Sequence, residues 1–398
     1  MPGWYLQLVA IIAVDTGLVL WPPRRPRGLA AAAFFVSHLV NELSGVALGT
    51  LLGATVLALI ADPLASAGGA AILALMTFTA LGLLKIVRRG LMAGPVVETA
   101  LDEALGRGWR SIAGGSARSR RRRLARSLVA PLPVLPLNVQ RVKNVTYGPG
   151  GRRNRLDVYR RRGPAVAGAP VLIHFHGGHF EIGRKSRECR PLLHRLARQG
   201  WVCVSATYRL GAAGRFPNSL IDANRVICWA RSHAAEYGAD PSVVIVAGSS
   251  AGAHLAAMAA LTPNDPAFQP GFEHADTAVS AAICLYGYYG ERDSVGPLPS
   301  SPGVCADCNV PPFLVAHGDN DVLIPKAQAD QFVHRLRTCG KSPVVYVPLP
   351  GAGHSFDLFH SPRFEQVIYG VEAFTAWVRL RRDETPDDEH PVPHALCS

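Results

Sequence analysis

The pentapeptide Gly248-Ser249-Ser250-Ala251-Gly252 places a serine between two glycines, directly after the apolar run 243–247. The stretch that follows, up to residue 261, is rich in alanine and leucine and favours a helix. The flanking glycines permit a sharp strand-to-helix turn that lifts the Ser250 hydroxyl away from the sheet. A small-residue turn without chemistry has the same pattern, so the interpretation depends on finding partners for Ser250.

A serine hydroxyl is a weak nucleophile near neutral pH and needs a base, usually a histidine that a carboxylate orients. His354 follows Gly351-Ala352-Gly353 at the end of a strand-like run, which predicts an exposed turn and makes this histidine the candidate base. The run 313–316 leads into a loop that holds Asp319 and Asp321. We predict that Asp321 orients His354, whereas Asp319 braces the loop through backbone amides.

Acyl transfer also needs hydrogen-bond donors for the oxygen that becomes negative, each worth ~3 kcal/mol of the barrier. The apolar run 171–175 ends in His176-Gly177-Gly178. No side chain obstructs the backbone N–H groups of Gly177 and Gly178, and the N–H of Ala251 follows the nucleophile directly. We therefore predict an oxyanion hole formed by Gly177, Gly178 and Ala251.

Alternating strand-like and helical stretches begin at residue 138 and predict an α/β fold with a doubly wound, mostly parallel sheet. Because the ligands of such sheets bind beyond the carboxyl ends of the strands, the serine, the acid and the histidine are expected to converge there. The predicted strands are 142–147, 156–159, 171–175, 202–206, 243–247, 281–285, 313–316 and 344–347, and the predicted helices are 189–198, 219–237, 250–261, 326–338 and 364–380.

The first 90 residues predict a transmembrane helical region. Hydrophobic residues make up 48% of the chain and its mean hydropathy is +0.15, and apolar runs at 5–21, 46–60 and 67–84 approach the ~20 residues that cross a bilayer as a helix. We predict three spans, with two or four as alternatives; segment 29–40 is a candidate extension of the second. Basic residues lie at the ends of the spans on the side from which the chain continues to residue 91. The positive-inside rule makes that side cytoplasmic, which predicts a multi-pass membrane protein with a cytoplasmic catalytic domain.

The positive charge is concentrated in one part of the chain. Segment 85–166 carries 19 Lys and Arg against four Asp and Glu, a difference of +15, while the whole chain has a net charge of +12. The run from Arg118 to Arg126 has no base-reading motif beside it, which argues against nucleic-acid binding. Beside a membrane it is expected to face anionic headgroups, with a solvated linker as the alternative.

These observations divide the chain into four parts. They are transmembrane helices at 1–90, a basic juxtamembrane or cap segment at 91–137, a catalytic domain at 138–382 and an acidic tail at 383–398.

The eight cysteines are widely separated, which favours reduced thiols over a disulfide framework. Cys305 and Cys308 have the spacing of half a zinc site, but no second pair follows, so a loop is the preferred interpretation. His174 is expected to be a strand residue and His176 a loop brace, because no carboxylate cluster accompanies them. We expect neither a metal nor a cofactor.

Taken together, the sequence resembles the α/β-hydrolase superfamily, in particular the carboxylesterases similar to hormone-sensitive lipase. The motifs that carry the resemblance span about residues 138–380 and are His176-Gly177-Gly178, Tyr208-Arg209-Leu210, Phe216-Pro217, the Ser250 pentapeptide, His317-Gly318 with Asp321, and Gly353-His354. The resemblance implies Ser250, Asp321 and His354 as the catalytic residues, an acyl-enzyme, short to medium acyl esters as substrates and no cofactor.

Two positions depart from that family. His179 stands where many relatives have a third glycine, and Ser249 replaces the aspartate that commonly precedes the nucleophile. His179, Phe180 and Phe216 are candidate substrate-pocket residues, and segment 91–137 is a candidate lid or acyl channel.

The sequence thus predicts a membrane-anchored serine carboxylesterase or lipase that acts on short- to medium-chain or lipid-like esters, with apolar esters and membrane lipids as its partners. An amidase or deacetylase of the same fold uses the same acyl chemistry and is one alternative. A binding protein that kept the fold and lost the chemistry is the other.

Overall fold

A computed structural model of the chain describes residues 2–61, 67–112, 114, 117–164, 167–293, 298–306 and 310–383. The predicted acidic tail at 383–398 therefore lies, after its first residue, outside the described residues. Helices form the part of the chain before the sheet: α1 (Gly3–Leu20), α2 (Arg27–Glu42), α3 (Ser44–Ala61), α4 (Ala67–Leu91), α5 (Ala93–Leu105), α6 (Trp109–Ile112) and α7 (Ala117–Val129).

Three helical stretches are long and apolar enough to cross a membrane: Gly3–Leu20, Ser44–Ala61 and Gly68–Leu105. Each of them overlaps one of the three predicted apolar runs. Segment 29–40 does not extend the second span, because α2 ends at Glu42 and α3 begins separately at Ser44. With 16 residues, α2 is shorter than α1 and α3, which have 18 residues each.

The strands form an eight-stranded sheet in the order β1-β2-β4-β3-β5-β6-β7-β8. Strands β1 and β2 are antiparallel to their neighbours, and β4, β3 and β5 to β8 are parallel. The strands are β1 (Val139–Thr146), β2 (Arg155–Arg161), β3 (Ala169–Phe175), β4 (Val202–Ala206), β5 (Ala239–Ser249), β6 (Ala281–Leu285), β7 (Phe313–Gly318) and β8 (Val344–Leu349). Each overlaps a predicted strand, so the predicted α/β fold class is confirmed for this part of the chain.

Helices cover both faces of the sheet, which explains why its central strands are almost entirely apolar. In β3, Val171 and Ile173 pack on one face and Leu172 on the other, as the two-residue period of a strand requires. The remaining helices are α8 (Arg190–Arg198), α9 (Asn218–His233), α10 (Ala251–Leu261), α11 (Pro302–Cys305), α12 (Lys326–Cys339) and α13 (Pro362–Asp383).

The first half of segment 91–137 packs into the catalytic domain. Val97 and Leu101 of α5 and Trp109 of α6 are buried in the same core cluster as Phe364 of α13. This part of the segment therefore completes the hydrophobic core on one face of the sheet.

The amino-terminal helices are joined to the catalytic domain by polar contacts near the predicted histidine loop. Glu42, at the end of α2, forms a buried ion pair of 2.6 Å with Arg363 of α13. Asn41 Nδ2 donates to the carbonyl of Gly351 over 3.3 Å. Asn320 Nδ2, in the loop after β7, donates to the carbonyl of Val19 at the end of α1 over 3.0 Å. These contacts fix α1 and α2 against the loops that carry Asp321 and His354.

The prediction of reduced thiols is wrong at Cys228, on α9, which is disulfide-bonded. Cys189, Cys203, Cys284 and Cys339 are free thiols. Wide spacing in sequence does not exclude a bond between residues that the fold brings together, so the spacing argument could not detect it. Cys308 lies outside the described residues.

The ion pair between Glu42 and Arg363 provides a test of this docking. Arg363→Met leaves the Glu42 carboxylate buried without its partner, and we expect it to lower the free energy of unfolding by about 3–5 kcal/mol. The double variant E42Q/R363M removes both charges, and its free energy of unfolding should fall less than that of R363M. The control is Lys326→Met, which removes the half-exposed ion pair between Lys326 Nζ and Asp330 Oδ1, 2.7 Å apart. It should lower the free energy of unfolding by about 1 kcal/mol or less. Denaturant unfolding in detergent measures all three, and equal losses for R363M and K326M would contradict the docking.

Candidate active site

Ser250 occupies the single-residue junction between β5 and α10. Its backbone has φ 55° and ψ −117°, a conformation that costs a non-glycine residue about 1–3 kcal/mol. The flanking glycines are required by close backbone approach: a Cβ at Gly248 would lie 2.0 Å from the carbonyl oxygen of Gly252, and one at Gly252 would lie 2.0 Å from that of Phe175. The predicted sharp turn is therefore present, and it is held by the Ser250 N–H, which donates to Leu285.

The structure brings Ser250, His354 and Asp321 into hydrogen-bond contact. Ser250 Oγ lies 2.9 Å from His354 Nε2, and His354 Nδ1 lies 2.7 Å from Asp321 Oδ2. Because Nδ1 faces the carboxylate it carries the proton, and Nε2 is left to accept the proton of Ser250. All three side chains are buried.

The two candidate carboxylates have different contacts. Asp321 Oδ1 accepts from the backbone N–H groups of Leu323 and Ile324, each over 2.9 Å, which aims Oδ2 at His354. Burial alone would raise the pKa of Asp321, but the charge of His354 and the hydrogen bond to it lower this pKa below its ordinary value. Asp319 Oδ1 accepts from the N–H of Gly351 over 2.7 Å and so braces the loop that carries His354.

One of the three predicted oxyanion donors is already occupied. The N–H of Gly177 donates to Glu188 Oε2, so it does not point freely toward Ser250 and this prediction is corrected. Within the described part of the chain, the N–H groups of Gly178, His179 and Ala251 have no hydrogen-bond acceptor. The φ of +120° at Gly178 and of +54° at His179 shows that the chain turns sharply there.

A buried polar network lies beneath Ser250, at Ser249, the position where the family that the sequence resembles commonly has an aspartate. Ser249 Oγ donates to Asp357 Oδ2 over 2.6 Å and lies 2.9 Å from His174 Nε2. Tyr286 donates to the other oxygen of Asp357 over 2.5 Å. Asp357 thus supplies a carboxylate that Ser249 lacks, and burial raises its pKa.

His174, Cys189 and Asp357 offer ligand atoms within 4.8 Å of one another. Two features argue against their holding a metal. The Ser249 hydroxyl already contacts both His174 and Asp357, and burial raises the pKa of the Cys189 thiol well above its ordinary value, which disfavours the thiolate that a metal would bind. His176, the predicted brace, stacks on Tyr208 with ring centroids 4.6 Å apart.

A cavity of about 660 Å³ contains the Ser250 hydroxyl. Its apolar wall includes Phe180, Tyr288, Leu323 and Ile324, and its charged residues are Glu181, Arg215, Glu291, Arg292 and Asp293. His179 and Phe180, two of the predicted pocket residues, line it. Arg292 stacks 3.7 Å above the Phe180 ring, which holds that ring against the cavity.

Two pocket predictions are corrected. Phe216 does not line this cavity; its ring packs on Phe268 with centroids 5.7 Å apart. None of the described residues of segment 91–137 lines the cavity either; within that segment, α5 and α6 pack in the core cluster on one face of the sheet.

Sequence reasoning missed Glu188, Asp357, Tyr286 and the contact of α2 with the histidine loop. Phe34 of α2 packs edge-on against His354, with ring centroids 6.3 Å apart. Tyr286 contacts the same imidazole at 4.6 Å. No motif marks these residues; the nearest signal is the position of Asp357 three residues after His354.

Comparisons with known proteins identify relatives of this chain. A family pattern described as BD-FAE matches residues 156–293. The probable carboxylic ester hydrolase LipM of Mycobacterium tuberculosis is 36% identical over 93% of this chain and 92% of its own length. Esterase LipQ of the same organism is 37% identical over 73% of this chain and 76% of its own.

Solved structures share the fold of the catalytic domain. Thermogutta terrifontis esterase 2 phosphoramylated by tabun has a TM-score of 0.52 and 24% identity, and the match covers 65% of this chain and 98% of that one. The butyrate-bound form of the same esterase has a TM-score of 0.51 and 22% identity, covering 64% and 97%. At these identities the likeness establishes the fold.

The match to LipM covers nearly the whole chain, and the solved esterases match the sheet and its helices. The chain therefore belongs to the α/β-hydrolase superfamily and, within it, to the carboxylic ester hydrolases similar to hormone-sensitive lipase, and it is an enzyme of that class.

Proposed function

We propose that this ester hydrolase acts through a serine nucleophile, with Ser250 as the attacking group, His354 as the base and Asp321 as the residue that orients it. The observation that carries the proposal is the continuous contact from Ser250 Oγ through His354 to Asp321, at 2.9 and 2.7 Å. The free N–H groups of Gly178, His179 and Ala251 are the proposed oxyanion donors.

In the proposed reaction, Ser250 Oγ attacks the ester carbonyl carbon while His354 Nε2 takes the hydroxyl proton. The carbonyl oxygen becomes negative and accepts hydrogen bonds from the backbone donors. The bond to the alcohol oxygen then breaks, and His354 returns the proton to the leaving alcohol. Water attacks the acyl-enzyme by the same sequence of proton transfers and releases the carboxylic acid with free Ser250.

The cavity supports a short to medium-sized acyl ester as the substrate class. Its volume of about 660 Å³ falls in the range of sites that enclose small molecules. The apolar side chains of Leu323 and Ile324 suit an acyl chain, whereas the charged residues Glu181 and Arg215 suit a polar alcohol or headgroup.

We further propose that α1, α3 and α4 cross a membrane and anchor the enzyme. Large apolar side chains on these helices are exposed, including Ile60 at 76% and Phe78 at 74%. An exposed surface of this kind is unfavourable in water and suits lipid. The α1–α2 connection, the start of α3 and the end of α4 all lie at the catalytic domain, consistent with three spans and one shorter helix between them.

The basic residues at the catalytic ends of the spans support a cytoplasmic catalytic domain. Arg24, Arg25 and Arg27 follow α1, and Arg88 and Arg89 end α4. The disulfide of Cys228 argues for an oxidising compartment instead. We give the charge pattern more weight, because it is repeated at two separate spans.

The serine mechanism predicts that a fluorophosphonate probe labels the wild-type enzyme and does not label Ser250→Ala. The kcat of that variant for a soluble p-nitrophenyl ester should be lower than that of the wild type by a factor on the order of 10⁶. Ser232→Ala, which changes a serine on α9 outside the cavity, is the control and should be labelled like the wild type. Labelling that persists in S250A would exclude Ser250 as the nucleophile.

The different contacts of the two aspartates give a second prediction. Asp321→Asn should lower kcat by about 10⁴-fold, because an amide neither holds the Nδ1 tautomer nor stabilises the imidazolium. Asp319→Asn keeps an oxygen that accepts a hydrogen bond from the N–H of Gly351, so its kcat should fall by less than about tenfold. Steady-state kinetics of the two variants measure the difference, and the reverse order would reassign the acid to Asp319.

The orientation predicts which thiols an impermeant maleimide reaches. Cys339 is a free, half-buried thiol at the end of α12, and His334→Cys would add an exposed one on the same helix. Both should be labelled only after the cells are permeabilised, as measured by peptide mass spectrometry. Labelling of either residue in intact cells would place the catalytic domain outside, the side that the Cys228 disulfide favours.

A further inference from the structure

A second cavity is separate from the one that contains Ser250. It has a volume of about 890 Å³ and shares no lining residue with the cavity that contains Ser250. Its walls are the end of α7, the irregular segment 130–138, helix α8 and the beginning of α3. Nothing in the proposed hydrolysis uses it.

This cavity lies where the second proposed span leaves the catalytic domain. Leu43 and Val46, at the start of α3, line it. The last turn of α7 packs on the same point, since a Cβ at Gly45 would lie 2.7 Å from the carbonyl oxygen of Leu128. If α3 crosses the bilayer, its first turn lies at the level of the lipid headgroups, and so does the cavity.

One wall of the cavity consists of apolar side chains that face outward. Val129, Leu132, Val134 and Leu137 line it, and their exposed fractions are 79%, 63%, 75% and 95%. Four such side chains within nine residues of chain form a patch that water solvates poorly. At the membrane boundary the same patch can contact an acyl chain.

The opposite wall is positively charged. Arg123, Arg126, Arg195 and Arg198 line the cavity, and Glu365 is the one carboxylate among its lining residues. Arg195 and His360 already pair with that carboxylate, at 2.8 and 3.0 Å. Arg126 and Arg198 form no ion pair within the described chain. The cavity therefore presents two uncompensated guanidinium groups beside the apolar wall.

A buried histidine also lines the cavity. His194 is only 3% exposed, and its Nδ1 has no hydrogen-bond partner among the described residues. Burial and the nearby Arg190 lower the pKa of His194 to about 4, so the ring is neutral at pH 7.

We propose that this cavity binds one anionic phospholipid of the surrounding membrane, with Arg126 and Arg198 on the phosphate and the acyl chain along Leu132, Val134 and Leu137. Guanidinium groups match phosphate oxygens in charge and geometry. A lipid held there joins α7 to the first turn of α3 and fixes the catalytic domain against the bilayer. The inference rests on the membrane anchoring proposed above and is independent of the serine mechanism.

The test uses the full-length protein in mild detergent, titrated with short-chain phosphatidylglycerol, phosphatidylcholine or inorganic phosphate, with thermal unfolding as the readout. We expect phosphatidylglycerol to raise the Tm of the wild type and the other two additives to leave it unchanged. The variant R126Q/R198Q should need at least about tenfold more phosphatidylglycerol for the same rise. R121Q/R122Q removes the same charge from the exposed face of α7 outside the cavity and should behave like the wild type.

Each other outcome overturns the proposal. If both double variants needed equally more phosphatidylglycerol, the lipid would be attracted to the basic run as a whole and would not bind at a specific site. A similar rise with inorganic phosphate would mean that the cavity takes a soluble anion, and no rise in the wild type would mean that it takes neither. The Tm of each variant without lipid verifies its folding.

Two further measurements on the wild type separate the proposals from one another. Resistance to carbonate extraction tests the membrane anchoring. Hydrolysis of the soluble ester tests the catalytic proposal, so the failure of either is distinguishable from an empty cavity.

Discussion

The active site depends on a strained backbone at Ser250, which connects β5 to α10 without an intervening loop. Ser250 has a φ of 55° at the point where β5 passes directly into α10. The glycines on either side of it approach neighbouring carbonyl oxygens so closely that no side chain fits at either position. The packed sheet therefore supplies the energy that holds the strain, and the strain directs the hydroxyl toward His354.

A second constraint is the large number of carboxyl groups near one imidazole. Asp321 contacts His354 directly, and the charge of that histidine also lowers the pKa of Glu188 and Asp357 against the effect of their burial. The net pKa of Glu188 nevertheless rises to about 7, because burial and Asp357 outweigh the cations around it.

The amino-terminal helices contribute to the same site. Phe34 of α2 contacts the His354 ring, and the ion pair between Glu42 and Arg363 holds the end of α2 against the catalytic domain. Arg363 also donates to the carbonyl of Gly351, in the loop that carries His354. The helical region and the histidine loop are thus one packed unit, which links the position of His354, the proposed base, to that of the proposed membrane anchor.

The sequence alone determined the strands and the strand-to-helix turn at Ser250, because these follow from local patterns of apolar residues and glycines. It also predicted that Ser250, Asp321 and His354 converge, and the structure places these three side chains in hydrogen-bond contact. Only the tertiary structure decided that Gly177 donates to Glu188, that Asp357 supplies the carboxylate missing at position 249, that Phe216 packs away from the cavity and that Cys228 is disulfide-bonded. Those contacts join residues far apart in the chain, and no local pattern specifies which distant side chain will fill a buried position.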